Sequence, residues 1–139
     1  MSSSQSSPLA NPIRRIGVVL SGRTREGSTA LNRLIDLCEA RSVSLAFESR
    51  SPGLPEGADV LDVDGSPVDL ILALGGDGTM LRASRLAIGS GLPVFGVNTG
   101  RLGFLTTTPE KELEVGVTAV LDGQALVERR YTLSASVNV

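Results

Sequence analysis

The chain has no histidine, and among its 139 residues there is a single cysteine, Cys38. Without imidazole, His-based catalytic triads and most zinc sites are excluded. One thiol forms no internal disulfide, which fits a reducing compartment, and the cytoplasm is the expected location. Aromatic residues make up only 3% of the chain, so the core must come from the Val, Leu, Ile and Ala in its 41% hydrophobic content. A net charge of −2 leaves no basic excess to hold nucleic acid or an anionic membrane, and neither is expected as a partner. No apolar run approaches the roughly 18 residues of a membrane span. Arg14-Arg15 precede the apolar stretch Ile16–Leu20, but that stretch is short and Arg23 and Arg25 follow at once, so a twin-arginine leader is rejected.

A chain of this length is one domain by default. Residues 1–12 are rich in Ser, Pro and Asn and are expected to lack fixed structure. Ile13–Leu20 reads as a buried, β-branched strand. After a polar loop over Ser21–Gly27 the period changes. Leu31, Leu34, Ile35 and Cys38 fall on one helical stripe, which makes Cys38 a core residue rather than a reactive one. Val43–Glu48 is the second expected strand, Ser51–Pro67 a loop, and Val68–Leu74 the third strand. Met80, Ala83 and Ala87 mark a helix ending near Gly89 and Gly91, and Leu92–Val97 is a fourth strand. Thr108 is suited to cap a further helix, with Pro109 at its first position and Gly123 at its end. Strands alternating with helices predict an α/β fold, a parallel sheet covered on both faces. In such sheets ligands bind beyond the carboxyl ends of the strands. From Tyr131 to Val139 apolar and polar residues alternate strictly, which predicts a strand with one polar face that fits an antiparallel sheet of a second domain.

The most informative stretch is Ile71-Leu-Ala-Leu-Gly75-Gly76-Asp77-Gly78-Thr79. A buried strand stops at two glycines and a helix begins directly afterwards. Amides freed in such a turn attract phosphate, and glycine lets a ligand come close to the main chain. An acid among phosphate-binding amides repels the anion unless it has a task. It can take a proton from an attacking hydroxyl or hold a magnesium ion. A simple helix cap is the plain alternative.

Other patterns mislead. Gly17 to Thr24 nearly matches P-loop spacing, but Arg23 replaces the lysine and Gly17 lies inside a strand, although Ser21 and Gly22 still stand at a strand end. Asp62-Val-Asp64-Gly65 resembles a calcium loop without its remaining ligands. Leu81 occupies the place of the third glycine of a dinucleotide-binding fingerprint, which weakens a dehydrogenase reading.

A second motif, Gly96-Val-Asn98-Thr-Gly-Arg-Leu-Gly103-Phe104-Leu-Thr106, is another close-approach loop after a strand. Asn98 carries a donor and an acceptor suited to a ribose or a base edge. Phe104 can stack on a base or plug the core.

Together the two motifs resemble the NAD kinase family, the ATP-NAD or polyphosphate/ATP-NAD kinases, from Ile13 to about Val139. The first motif is shared with diacylglycerol, sphingosine and 6-phosphofructokinases; the Asn98–Phe104 loop selects NAD kinase among them. The resemblance implies a Rossmann-like N-terminal domain over residues 13–125 and, over 126–139, a crossover strand into a β-rich second domain that this chain does not contain. It implies transfer of a phosphate from ATP, or polyphosphate, to the 2′-hydroxyl of the adenosine ribose of NAD, with a divalent cation, Mg²⁺, and a homo-oligomeric full-length protein. By resemblance Asp77 is the catalytic acidic residue, the proton acceptor. Asp77, Gly78 and Arg82 contact NAD, Asn98 and Phe104 lie near its adenosine, and Gly75, Gly76 and Thr79 form the phosphate loop. No residue of the chain is assigned as a metal ligand. A lipid or sugar kinase sharing the turn, and a non-catalytic nucleotide-binding fragment, remain the alternatives.

Overall fold

A computed structural model describes residues 6–9, 12–22, 28–65, 67–100, 103–106 and 108–137. The elements in chain order are β1 (Ser6–Pro8), β2 (Arg15–Leu20), α1 (Thr29–Ala40), β3 (Ser44–Phe47), β4 (Asp59–Val60), β5 (Leu70–Gly75), α2 (Asp77–Ala87), β6 (Val94–Asn98) and β7 (Thr108–Pro109). A 3-10 turn over Glu110–Glu112, α3 (Leu113–Leu121) and β8 (Leu126–Glu128) complete them. β2 to β7 form one sheet in the order β4-β3-β2-β5-β6-β7, with every pairing parallel.

The chain runs outward from β2 to β4 on one side and resumes at β5 on the other. The strand order therefore reverses between β2 and β5, and in sheets of this kind ligands bind beyond the carboxyl ends at such a point. Side-chain alternation explains how the sheet is covered. Ile16, Val18, Leu20, Leu70, Leu72 and Leu74 face α1 and α3, meeting Leu31, Leu34, Cys38, Leu113, Val117 and Val120. Val19, Ile71 and Ala73 face α2, meeting Ala83 and Ala87. Small residues on this second face let α2 lie close to the sheet. A Cβ on Gly96 would stand 2.9 Å from the Met80 sulfur.

α1 starts where Ser28 accepts the Leu31 amide at 3.1 Å. Arg33 binds Glu114 through both Nε and Nη2, tying α1 to α3. The pairing raises the guanidinium pKa and lowers that of the Glu114 carboxyl. Burial pushes the Cys38 thiol up to about 11, in keeping with a core residue. Among the described residues no helix is long and apolar enough to cross a membrane.

The structure departs from the sequence reading in four places. Ser6–Pro8, expected to lack structure, pair antiparallel with Leu126–Glu128; the rest of residues 1–5, with 10 and 11, lie outside the described set. Thr108 does not cap a helix. Its backbone pairs with Val97 in the sheet, so the 3-10 turn intervenes and α3 starts only at Leu113. The alternating segment from Tyr131 forms no strand within residues 131–137, where the side chains are exposed; alternation yields a strand only when a partner supplies the ladder, and no described strand lies beside it. The Ser51–Pro67 loop also contributes the short β4. Gly17 is confirmed inside β2, packed against Leu61, and the 23–27 part of the near P-loop lies outside the described residues.

Candidate functional site

The first motif sits at the reversal point. Gly75 is the last residue of β5, and its place is tight. A Cβ there would lie 2.8 Å from the Ser21 Cβ and 2.4 Å from Thr79 Oγ1. The Ser21 amide donates to the Leu74 carbonyl at 3.1 Å, so the β2 and β5 ends are joined. Gly76 is the N-cap of α2 and offers no side chain to the helix amides. Space above Gly76 and Gly78 is open to 4 Å, which leaves room for a ligand against the backbone. Thr79 is buried against the strand end.

Asp77, the first residue of α2, does not act as a simple cap. Its carboxylate reaches across to the loop after β6. Oδ2 accepts the Phe104 amide at 2.9 Å, and Oδ1 accepts the Leu105 amide at 3.0 Å. Gly103 makes this possible, since a Cβ there would stand 2.2 Å from Oδ1. The amides of Phe104, then Leu105, hold the carboxyl below its usual range; a smaller desolvation acts in the opposite sense, and the Thr106 amide adds to the lowering. The group is ionised at neutral pH and its charge also suits the positive end of the helix. The two glycine motifs are thus one unit, joined at this carboxylate.

Asn98 is 3% exposed at the end of β6. Its Nδ2 donates to Thr106 Oγ1 at 2.9 Å and its Oδ1 accepts the Gly100 amide at 2.8 Å, so both ends of the side chain shape the loop. Phe104 is 96% exposed, which removes the core-plug option. Arg101 and Leu102 of this loop lie outside the described residues.

Arg82 extends from α2 toward the end of β2 rather than along its own helix face. Nη2 donates to the Leu20 carbonyl at 2.7 Å, and Nε and Nη2 donate to Glu48 Oε1 at 3.1 and 3.0 Å. The plain solvated-face reading of Arg82 is therefore set aside. Glu48 and Ser51 are buried polar residues that the sequence did not single out. The one available signal was Glu48, a charged residue following directly on β3.

Among the described residues no group of three or more His, Cys, Asp or Glu is placed to hold a metal ion, and the Asp77 oxygens each already take a backbone amide. The Asp62 carboxylate accepts the amides of Asp64 and Gly65, a local turn in place of a calcium loop.

Residues 20–125 match the family model described as the ATP-NAD kinase N-terminal domain. The chain is 42% identical over 122 residues to the NAD kinase of Gemmatimonas aurantiaca, an alignment covering 87% of this chain and 42% of that protein. It is 37% identical over 129 residues to the NAD kinase of Moorella thermoacetica, covering 90% and 41%. Among solved structures it is similar to yeast NADH kinase complexed with NADH, with a TM-score of 0.61 and 19% identity over 84% of this chain and 40% of that one, a likeness of fold. The chain thus spans about two fifths of the length of these relatives. On this match, and on the two joined motifs that it spans, the chain belongs to the ATP-NAD kinase family, of which it carries the N-terminal domain.

Proposed function

We propose that this chain supplies the catalytic wall of a NAD kinase, which transfers the γ-phosphate of ATP to the 2′-hydroxyl of the adenosine ribose of NAD and releases ADP and NADP. The observation that carries the reading is Asp77, an ionised carboxylate at the sheet's reversal point, bonded to the loop of the second motif.

In this reading the ribose oxygen attacks the γ-phosphorus, the bond from that phosphorus to the β,γ-bridging oxygen breaks, and ADP takes the electron pair. The hydroxyl proton passes to Asp77 and then to solvent. A carboxylate with a lowered pKa is a weak base, but phosphoryl transfer through a loose transition state leaves the hydroxyl proton in place until late. The main service of Asp77 is then to orient the hydroxyl, and accepting its proton follows. The free space over Gly76 and Gly78 admits phosphate or ribose oxygens to the backbone amides, with Gly75 and Thr79 fixing the turn beneath. Phe104 offers a stacking face to the adenine. Asn98 acts near the adenosine by shaping its loop, and Arg82 contacts the charged part of the dinucleotide. A divalent cation is proposed to arrive with the ATP phosphates, and polyphosphate is the alternative donor. A cytoplasmic, oligomeric enzyme completes the proposal.

The test is the gene product that carries this chain, purified and given ATP, Mg²⁺ and, in separate reactions, NAD, diacylglycerol or fructose 6-phosphate. NADP formation with no phosphorylation of the other acceptors is the expected result. Preference for either other acceptor would refute the assignment.

A further inference from the structure

Leu20 is the last residue of β2, and its peptide groups face β3. This follows from the Val18 carbonyl, two residues earlier, which accepts the Glu48 amide at 2.9 Å. β3 has ended by then, at Phe47. The Leu20 amide and carbonyl would be left without a ladder partner at a buried position, a situation folded proteins avoid. Two side chains take the place of the missing strand. Ser51 Oγ accepts the Leu20 amide at 2.8 Å, and Arg82 Nη2 donates to the Leu20 carbonyl at 2.7 Å. Glu48 Oε1 joins them, accepting Arg82 Nε and Nη2 and lying 3.4 Å from Ser51 Oγ. Glu48 and Ser51 are 8% and 5% exposed, whereas the Arg82 side chain is 33% exposed and so reaches the surface from this buried base.

We propose that Glu48 and Ser51 are positioning residues for the dinucleotide site: they hold the Arg82 guanidinium over the carboxyl end of β2 and complete the strand end from which the Ser21–Gly22 turn departs. A guanidinium is a rigid planar fork. Fixing its Nε and Nη2 edge against Glu48 and Leu20 fixes the direction of the opposite edge. One oxygen of Glu48 does this, so the hydrogen-bond acceptor matters more than the second carboxylate oxygen. The proposal rests on the reading that Arg82 contacts the dinucleotide.

The experiment measures KM for NAD and kcat in the gene product that carries this chain, for Glu48→Ala, Glu48→Gln, Arg82→Ala and the Glu48→Ala/Arg82→Ala double variant. Glu48→Ala is expected to raise KM about tenfold with kcat changed by less than about threefold, as for loss of a binding interaction. Glu48→Gln keeps an acceptor oxygen at the same reach and should recover most of that loss. With Arg82 already Ala, removing Glu48 should add less than about twofold, because the two residues act as one. If Glu48→Ala folds poorly, Glu48→Met keeps the volume without the acceptor and should show the same rise in KM. Ser51→Ala should speed hydrogen exchange of the Leu20 amide about tenfold or more. An unchanged exchange rate would remove Ser51 from the proposal. No NADP from the wild type would refute the assigned function, and an unchanged KM in Arg82→Ala would refute the dinucleotide contact; the positioning role falls with either. A KM that responds to Arg82 but not to Glu48, or a full Glu48 effect without Arg82, overturns the positioning role alone.

Discussion

Replacing Gly75 by alanine separates what the glycine turn does for the fold from what it does for a ligand. The new methyl would stand 2.4 Å from Thr79 Oγ1, 2.8 Å from Thr79 Cβ and 2.8 Å from the Ser21 Cβ, where ordinary contact is 3.4–4 Å. Each neighbour must retreat by about 1 Å or less. Thr79 has little room to do so, being buried and β-branched in the first turn of α2. Gly75 cannot move easily either, since it pairs with Asn98 and its carbonyl accepts the Thr99 amide at 3.2 Å. Overpacking of this kind costs about 1–3 kcal/mol, and two blocked neighbours place the value near 2 kcal/mol. For a domain of this size that lowers Tm by roughly 6–10 °C. The first turn of α2 also carries Asp77, so turnover should fall by about 100-fold if the carboxylate shifts by roughly 1 Å. Gly76→Ala is the control, because a Cβ there meets nothing within 4 Å. Its Tm should stay close to wild type, within the roughly 0.5 kcal/mol of a neutral surface change. Its KM for NAD or ATP should nevertheless rise, because the methyl enters the space in which the proposed function seats a ligand. Calorimetric melts of both variants, with initial rates, make the comparison. A Gly75→Ala protein that melts like wild type, or a Gly76→Ala protein that melts as low as Gly75→Ala, would refute the reasoning.

Gly78 lies within α2 with open space around it, so Gly78→Ala should stabilise the fold by about 0.5–1 kcal/mol in denaturant titrations while weakening ligand binding. Phe104→Ala and Phe104→Leu should both fold normally, because the ring touches no core, and both should raise KM for NAD, with Ala the more severe; a KM equal to wild type in both would remove Phe104 from the site. Burial raises the Cys38 thiol from 9.0 to about 11, so its neutral form stabilises the fold fully below pH 9 and that contribution is lost as the pH rises through about 11. Wild-type stability should therefore fall more steeply between those values than that of Cys38→Ala, and the native thiol should resist an aromatic disulfide reagent at pH 8.

Much of the sheet was legible because its strands are continuous β-branched or leucine runs bounded by glycine, proline or polar turns. The first helix was equally clear, since Ser28 and the Leu31–Leu34–Cys38 stripe agree on its start and its buried face. The placing of Gly75–Thr79 beyond a strand followed from the abrupt end of the apolar run. What escaped was set by partners distant in sequence. Arg82 meets Glu48 and Leu20 across 34 and 62 positions, and local pattern carries no trace of either contact. Asp77 looked like an isolated acid, yet its carboxylate is bonded 27 and 28 residues ahead. Thr108 has every local mark of a helix cap, but pairing with β6 claims its backbone first. The Tyr131 segment shows the converse, a clear strand pattern with no described ladder to join.

The most direct test of the account is the turnover of Asp77→Asn at saturating NAD and ATP, with a melting curve on the same sample. Asparagine keeps the shape and one acceptor oxygen but removes the charge and the proton acceptor. The account predicts a folded protein whose kcat is lower by about two to four decades, with a smaller effect on NAD binding. A folded Asp77→Asn protein turning over NAD at close to the wild-type rate would contradict it.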